Sequence, residues 1–159
     1  MGRKLSLGAA LALVIAVAGA SLAFAGDDGN GDATVVKLVA KTVKNTELDL
    51  GEKGFGQGDQ FVETDDLFLD GKKVGTLEVV GTATRVDGDS ATFQAAVTAS
   101  LPKGDITHQG IFTAGPTSGP EPFFLAITGG TGAYRSADGE TEVTIVSDTE
   151  ARLEVNLIP

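Results

Sequence analysis

From Thr34 to Ile158 the chain keeps a two-residue period, broken again and again by Asp-Gly and Pro-Gly turns. Successive side chains of a strand point to opposite faces, so such a period predicts half-buried strands. Val36, Leu38 and Ala40 alternate with Lys37, Val39 and Lys41. Gln60 to Leu69 carries β-formers before the turn Asp70-Gly71-Lys72, and Val74 to Arg85 ends at Asp87-Gly88-Asp89. Ala91 to Leu101 closes on Pro102-Lys103-Gly104, and Ile106 to Ala114 alternates again. Phe123 to Thr128, Glu140 to Val146 and Ala151 to Ile158 complete the set. No window beyond the N-terminal segment holds a helical period over three turns. About eight strands, spaced roughly 10 to 15 residues apart, predict an all-β sandwich or barrel. An even, hairpin-linked set can close and so lose its edges, which makes a closed eight-stranded antiparallel β-barrel the expected fold.

The first 25 residues read differently. Arg3 and Lys4 precede an apolar run from Leu5 to Ala18, and Ala23-Phe24-Ala25 has the small-x-small form of a cleavage site. This is the layout of a signal peptide, so the expected organisation is a signal over 1–25, a polar linker over 26–33 and one barrel domain over 34–159. A secreted, extracellular protein without membrane attachment after cleavage follows. Asp28, Asn30 and Asp32 sit at calcium-loop spacing, but the twelfth position from Asp28 is Val39 rather than a glutamate, so this stretch reads as linker. The formal net charge of −10 argues against nucleic acid as a partner. The chain has no cysteine and a single histidine, which removes disulfides, thiol catalysis and multi-histidine metal sites; neither cofactor nor metal is expected.

Leu125 to Val143 reads LAITGGTGAYRSADGETEV. Three glycines in four residues suit a tight corner with close backbone approach. No Lys-Ser/Thr follows them, so this is not a phosphate loop. Within this stretch, Ala126 to Tyr134 resembles the most characteristic motif of the allene oxide cyclase and dirigent-like barrel proteins. Gly58-Asp59-Gln60-Phe61-Val62, Thr64-Asp65-Asp66-Leu67 and Gly71 to Gly75 resemble the first half of that family, and Ile106 to Gly110 its central strand. The resemblance runs from about Val35 to the C-terminus. It implies a calycin-like barrel, often a homotrimer, whose apolar lumen confines a reactive small molecule and favours one product. Where the cyclases carry an asparagine this chain has Asp65, and where they carry a cysteine it has Gly81. The resemblance therefore implies the barrel rather than the cyclase reaction.

Two residues are candidates for acid–base chemistry. Asp65 and Asp66 are adjacent on a strand, so at most one faces a lumen, where burial raises a carboxyl pKa. His108 shares a face with Ile106, Gly110 and Phe112 and titrates near neutrality if unperturbed. The expected ligand contacts are Phe61, Phe93, Gln94, Phe112, Tyr134 and Arg135. A structural carboxylate, a packed histidine and an Arg135 ion pair with Asp138 or Glu140 are the plainer readings of the charged groups. Three functions compete: a barrel holding a small apolar molecule and steering its cyclisation or coupling, a cyclase or isomerase using Asp65 or His108, and a purely structural envelope barrel. The first is favoured, since one histidine leaves little catalytic apparatus.

Overall fold

The computed structural model describes residues 34–115 and 121–158. The signal and linker segments lie outside the described residues, as does most of the loop between Gly115 and Pro122. Eight strands follow in chain order: β1 (Thr34–Leu48), β2 (Gln60–Leu69), β3 (Lys72–Asp87), β4 (Ser90–Leu101), β5 (Gly104–Ala114), β6 (Phe123–Gly130), β7 (Asp138–Ser147) and β8 (Glu150–Ile158). Each pairs antiparallel with the next, and β1 closes onto β8 from Thr34 opposite Leu157 to Lys41 opposite Glu150. The expected closed antiparallel barrel is the fold of the chain. One 3-10 turn, Gly132–Tyr134, was not foreseen by the period-two reading.

The alternation in sequence sets the core. Leu38 and Ala40 of β1, Leu67 of β2, Leu77 of β3, Ala95, Val97 and Ala99 of β4 and Ile106 of β5 point inward and are buried. Leu125 and Ile127 of β6, Val143 of β7, and Leu153 and Val155 of β8 complete the belt. Fully burying one such aliphatic side chain stabilises the fold by about 1.5–3 kcal/mol, so this belt is what holds a disulfide-free barrel together.

A β-bulge in β1 shifts the pattern. Thr42 stands opposite Asp65, but the register slips by one residue before Lys44, which pairs with Thr64. The extra residue, Val43, turns outward and is 64% exposed. Beyond it the inward series, which had run through even-numbered residues, passes to Asn45 opposite Glu63. Without the bulge the lysine at 44 would point where Asn45 now does.

The two barrel ends differ. At one lie the loop 49–59, the β3–β4 turn and the β7–β8 turn. At the other lie the Asp70-Gly71 turn, the Pro102-Lys103 turn and the glycine corner. That corner is clamped onto the β4–β5 turn: Thr131 N donates to Asp105 O at 2.9 Å and Ala133 N to Lys103 O at 2.9 Å. Gly132 has a φ of +57°, and a Cβ on it would fall 2.3 Å from Lys103 O. The glycine is required there on both counts. The clamp tucks Tyr134 into this end of the barrel, where it is buried.

Candidate functional site

Along β2 the residues Phe61, Glu63, Asp65 and Leu67 share the inward face. Asp66 points outward and pairs with Lys73 at 2.6 Å. Of the adjacent acids, then, Asp65 is the one in the lumen, 4% exposed. Its inward neighbour Glu63 escaped the sequence reading. Glu63 accepts a hydrogen bond from Asn45 Nδ2 and a long one, 3.5 Å, from Thr42 Oγ1. The bulge in β1 is what brings both donors to the same carboxyl.

Burial and the neighbouring Asp65 push the Glu63 carboxyl up from its ordinary 4.5 to about 7, against the opposing pull of Asn45. Asp65 is raised too, first by burial, with hydrogen bonds from Thr42 and Glu63 pulling the other way. Two carboxyls this close cannot both ionise freely. Burial and this repulsion both favour the protonated form of the pair. One oxygen, Asp65 Oδ1, is buried with no hydrogen-bond partner among the described residues.

Next to this pair, toward the 49–59 end, stands an aromatic wall. Phe61 and Phe93 meet edge to face at 5.5 Å, and Phe93 stacks on Phe112 at 5.5 Å. Phe112 stacks in turn on Phe123 at 4.7 Å, and Phe55 from the loop approaches Phe93 at 6.2 Å. Such offset and edge-on pairs are favourable beyond their buried area. Asp59 fixes the loop that carries Phe55. Its carboxylate accepts Leu50 N at 2.7 Å and Gly56 N at 2.8 Å, while its backbone carbonyl accepts Ala83 N at 2.8 Å.

The structure brings together Phe61, Phe93, Phe112 and Asp65 of the expected site residues and separates the rest. His108 does face inward, between Val97 and Ile127 on the neighbouring strands. Burial lowers its pKa from 6.5 to about 4, more than the Val97 backbone restores. Both ring nitrogens lack hydrogen-bond partners among the described residues. Burial thus favours the neutral form of this imidazole. Gln94 follows Phe93 on a strand and so lies on the outer wall, opposite Thr82 and Ile111, exposed. Tyr134 is buried at the far end of the barrel, and burial raises its pKa. Arg135 is exposed beside it, and no ion pair joins it to Asp138 or Glu140 among the described residues. At the Tyr134 end the interior opens into an apolar recess of about 180 Å³. A wider concavity of about 420 Å³, bordered by Glu78, Ala96, Thr107 and Gln109, lies on the outer wall.

A closed eight-stranded antiparallel barrel of this size is a recognised class of small-barrel fold. The allene oxide cyclase barrel like domain matches residues 37–158, and the chain belongs to that family. No protein of curated function matches the sequence. Among solved structures, the chain is similar to a pyocyanin demethylase at 30% identity and a TM-score of 0.69, over 78% of this chain and 99% of that one. It shares its fold with a Diels-Alderase from Streptomyces koyangensis (19% identity, TM-score 0.63, 79% of this chain and 63% of that one). It shares it also with a pterocarpan synthase dirigent protein (17% identity, TM-score 0.55, 79% of this chain and 93% of that one).

Proposed function

We propose that this barrel binds a flat, largely apolar molecule against the Phe61–Phe93–Phe112 wall and moves a proton to or from it through the Glu63–Asp65 pair. The observation that carries this reading is the placement of two carboxyls on one inward face, two residues apart, directly beside the aromatic mouth. A general acid or base works best when its pKa lies near the working pH, and Glu63 at about 7 meets that condition. Thr42 and Asn45 hold the carboxyl in place, and Asp65 accepts the shared proton. The reaction class is a proton transfer that permits isomerisation, ring closure or tautomerisation. The names of the relatives, a demethylase acting on pyocyanin and a Diels-Alderase, are in keeping with small-molecule chemistry in such barrels. This reading departs from the simple binding barrel favoured by sequence, because Glu63 adds the acid–base group that the lone histidine does not supply.

Export after cleavage at Ala25 and assembly into a homotrimer belong to the same proposal. The outer wall supports the second point: Val62, Val80, Ala96, Gln109 and Ala126 are register partners across five strands and form an uncharged stripe on an otherwise acidic chain. Native mass spectrometry of the exported protein reads both the cleavage and the oligomer.

The binding step is tested by titrating pyocyanin and a panel of planar phenols against the protein and following Phe-region methyl and aromatic NMR signals. Shifts confined to Phe61, Phe93, Phe112 and their neighbours support the reading. The Phe93→Ala variant should then weaken binding, and Glu63→Gln should retain binding while losing any conversion. Conversion that survives in both Glu63→Gln and Asp65→Asn overturns the proton-transfer role.

A further inference from the structure

The charges of this barrel are unevenly placed. Among the described residues, the buried polar and charged side chains are Asp59, Asp65, His108 and Thr141; no lysine or arginine is buried. Asp59 is engaged by the amides of Leu50 and Gly56. Burial favours the neutral form of His108. The charge that a ligand can meet inside is therefore that of Glu63 and Asp65, and its sign is negative. Asp65 Oδ1 is buried and has no hydrogen-bond partner among the described residues. A ligand carboxylate entering here would find no countercharge and would be repelled by the pair, whereas a cation would meet two carboxyls.

The mouth repeats this sign. Asp49 and Glu52 of the 49–59 loop, Asp87 and Asp89 of the β3–β4 turn and Asp148 of the β7–β8 turn are exposed, and none of them is in an ion pair among the described residues. Lys53 is the one basic residue in these three connections. Of the bases on the flanking strands, Lys41 pairs with Glu150 at 3.5 Å and Arg85 donates to Thr92 Oγ1 at 3.3 Å. At the opposite end Lys72, Lys103 and Arg135 offset Asp70 and Asp138 in the corresponding turns. A rim of one sign raises the local concentration of small ions of the other, so the Phe55 end draws cations.

The aromatic wall suits the same sign. A cation over the face of a phenylalanine, within about 6 Å of the ring centre, is attracted by the ring quadrupole, and more strongly once desolvated. Phe61, Phe93 and Phe112 are packed together beside the carboxyl pair, so flat apolar area and negative charge meet in one place.

From this arrangement we infer that the molecule taken up at the mouth is a flat cation, an aromatic ring system with its positive charge spread over the ring, as in an N-alkylated nitrogen heterocycle. This rests on the binding reading proposed above and narrows its substrate class. The ring lies against Phe61, Phe93 and Phe112, and its positive edge faces the Glu63–Asp65 carboxyls. Anions of the same shape are rejected.

The test uses three fused-ring probes of similar shape: N-methylquinolinium as the cation, quinoline as the neutral compound and 1-naphthoate as the anion. Each is titrated into the full chain near neutral pH under aromatic- and methyl-detected NMR, at about 0.01 M and about 0.5 M salt. The expected result is saturable shifts at Phe61, Phe93 and Phe112, with the cation binding about tenfold tighter than quinoline at low salt and naphthoate not binding. High salt and Asp65→Asn should each cut that preference severalfold. The triple variant Glu52→Gln, Asp89→Asn, Asp148→Asn should reduce it at low salt with the shifts still on the same rings, and it carries the test if Asp65→Asn does not fold. Equal binding of cation and quinoline, tighter binding of naphthoate, or a cation preference unmoved by salt and by both variants would overturn the charge assignment while leaving the aromatic site standing. If no probe shifts those rings, the binding reading and this inference fall together.

Discussion

The ring of Phe61 occupies the space that a side chain on Gly81 would need. The two residues face each other across the β2–β3 ladder, and a Cβ on Gly81 would fall 2.1 Å from Phe61 Cε1. The cysteine that the plant cyclases carry at this place therefore has no room here.

Gly81→Ala should accordingly destabilise the barrel by about 1–3 kcal/mol through overpacking. The cost should shrink when Phe61→Ala is added, because the clashing ring is gone. A double-mutant cycle in urea reads this directly. Additive costs would show that the two positions are not coupled.

The buried titrating groups set opposite pH slopes. Glu63 is raised from 4.5 to about 7 in the folded chain, so the stability it contributes is full below about 4.5 and is lost as pH rises through about 7. His108 is lowered from 6.5 to about 4, so its contribution is full above 6.5 and is lost as pH falls toward 4. Between those limits the two proton balances oppose each other. Relative to wild type, Glu63→Gln should gain stability steadily from pH 4.5 to 7.5. His108→Leu should gain in the other direction, as pH falls below 6.5. Thermal melts of the three proteins across pH 4 to 8 check the signs, and parallel curves would refute both assignments.

Much of the barrel was legible in sequence because hydrophobic alternation and Asp-Gly turns are local signals. The period of β2 was legible too: Phe61, Asp65 and Leu67 stand two or four residues apart, and Glu63 sits between them at the same period, although the sequence does not say which of the two faces turns inward. It passed unnoticed because a strand glutamate is ordinarily an outward residue. Asn45 was out of reach for a different reason. A single bulge at Val43 reverses which residues of β1 face inward, and nothing in VAKTVKNTEL marks it. Gln94 and Tyr134 were grouped with Phe93 and Phe112 because sequence alone does not say which face or which barrel end a residue occupies. His108 was grouped with Ile106 and Phe112 without saying whether that face turns inward, and its shift to about 4 follows from closure of the whole barrel around it.

Asp59 should act as the anchor of the mouth. Its carboxylate serves the amides of both Leu50 and Gly56, so Asp59→Ala leaves two backbone donors without that acceptor and should cost about 1–3 kcal/mol. The same change should loosen Phe55 from Phe93. Faster hydrogen exchange at Leu50 and Gly56, with unchanged exchange in β7 and β8, is the expected signature. Uniformly faster exchange would instead point to general loosening.

The account turns on a proton held between Glu63 and Asp65, and carboxyl-detected 13C NMR of selectively labelled protein tests it most directly. The expected result is a Glu63 midpoint near 7 in the folded barrel, moving down toward the ordinary carboxylate range in Asp65→Asn. A Glu63 that titrates at its ordinary value of 4.5, unmoved by Asp65→Asn, would contradict the account.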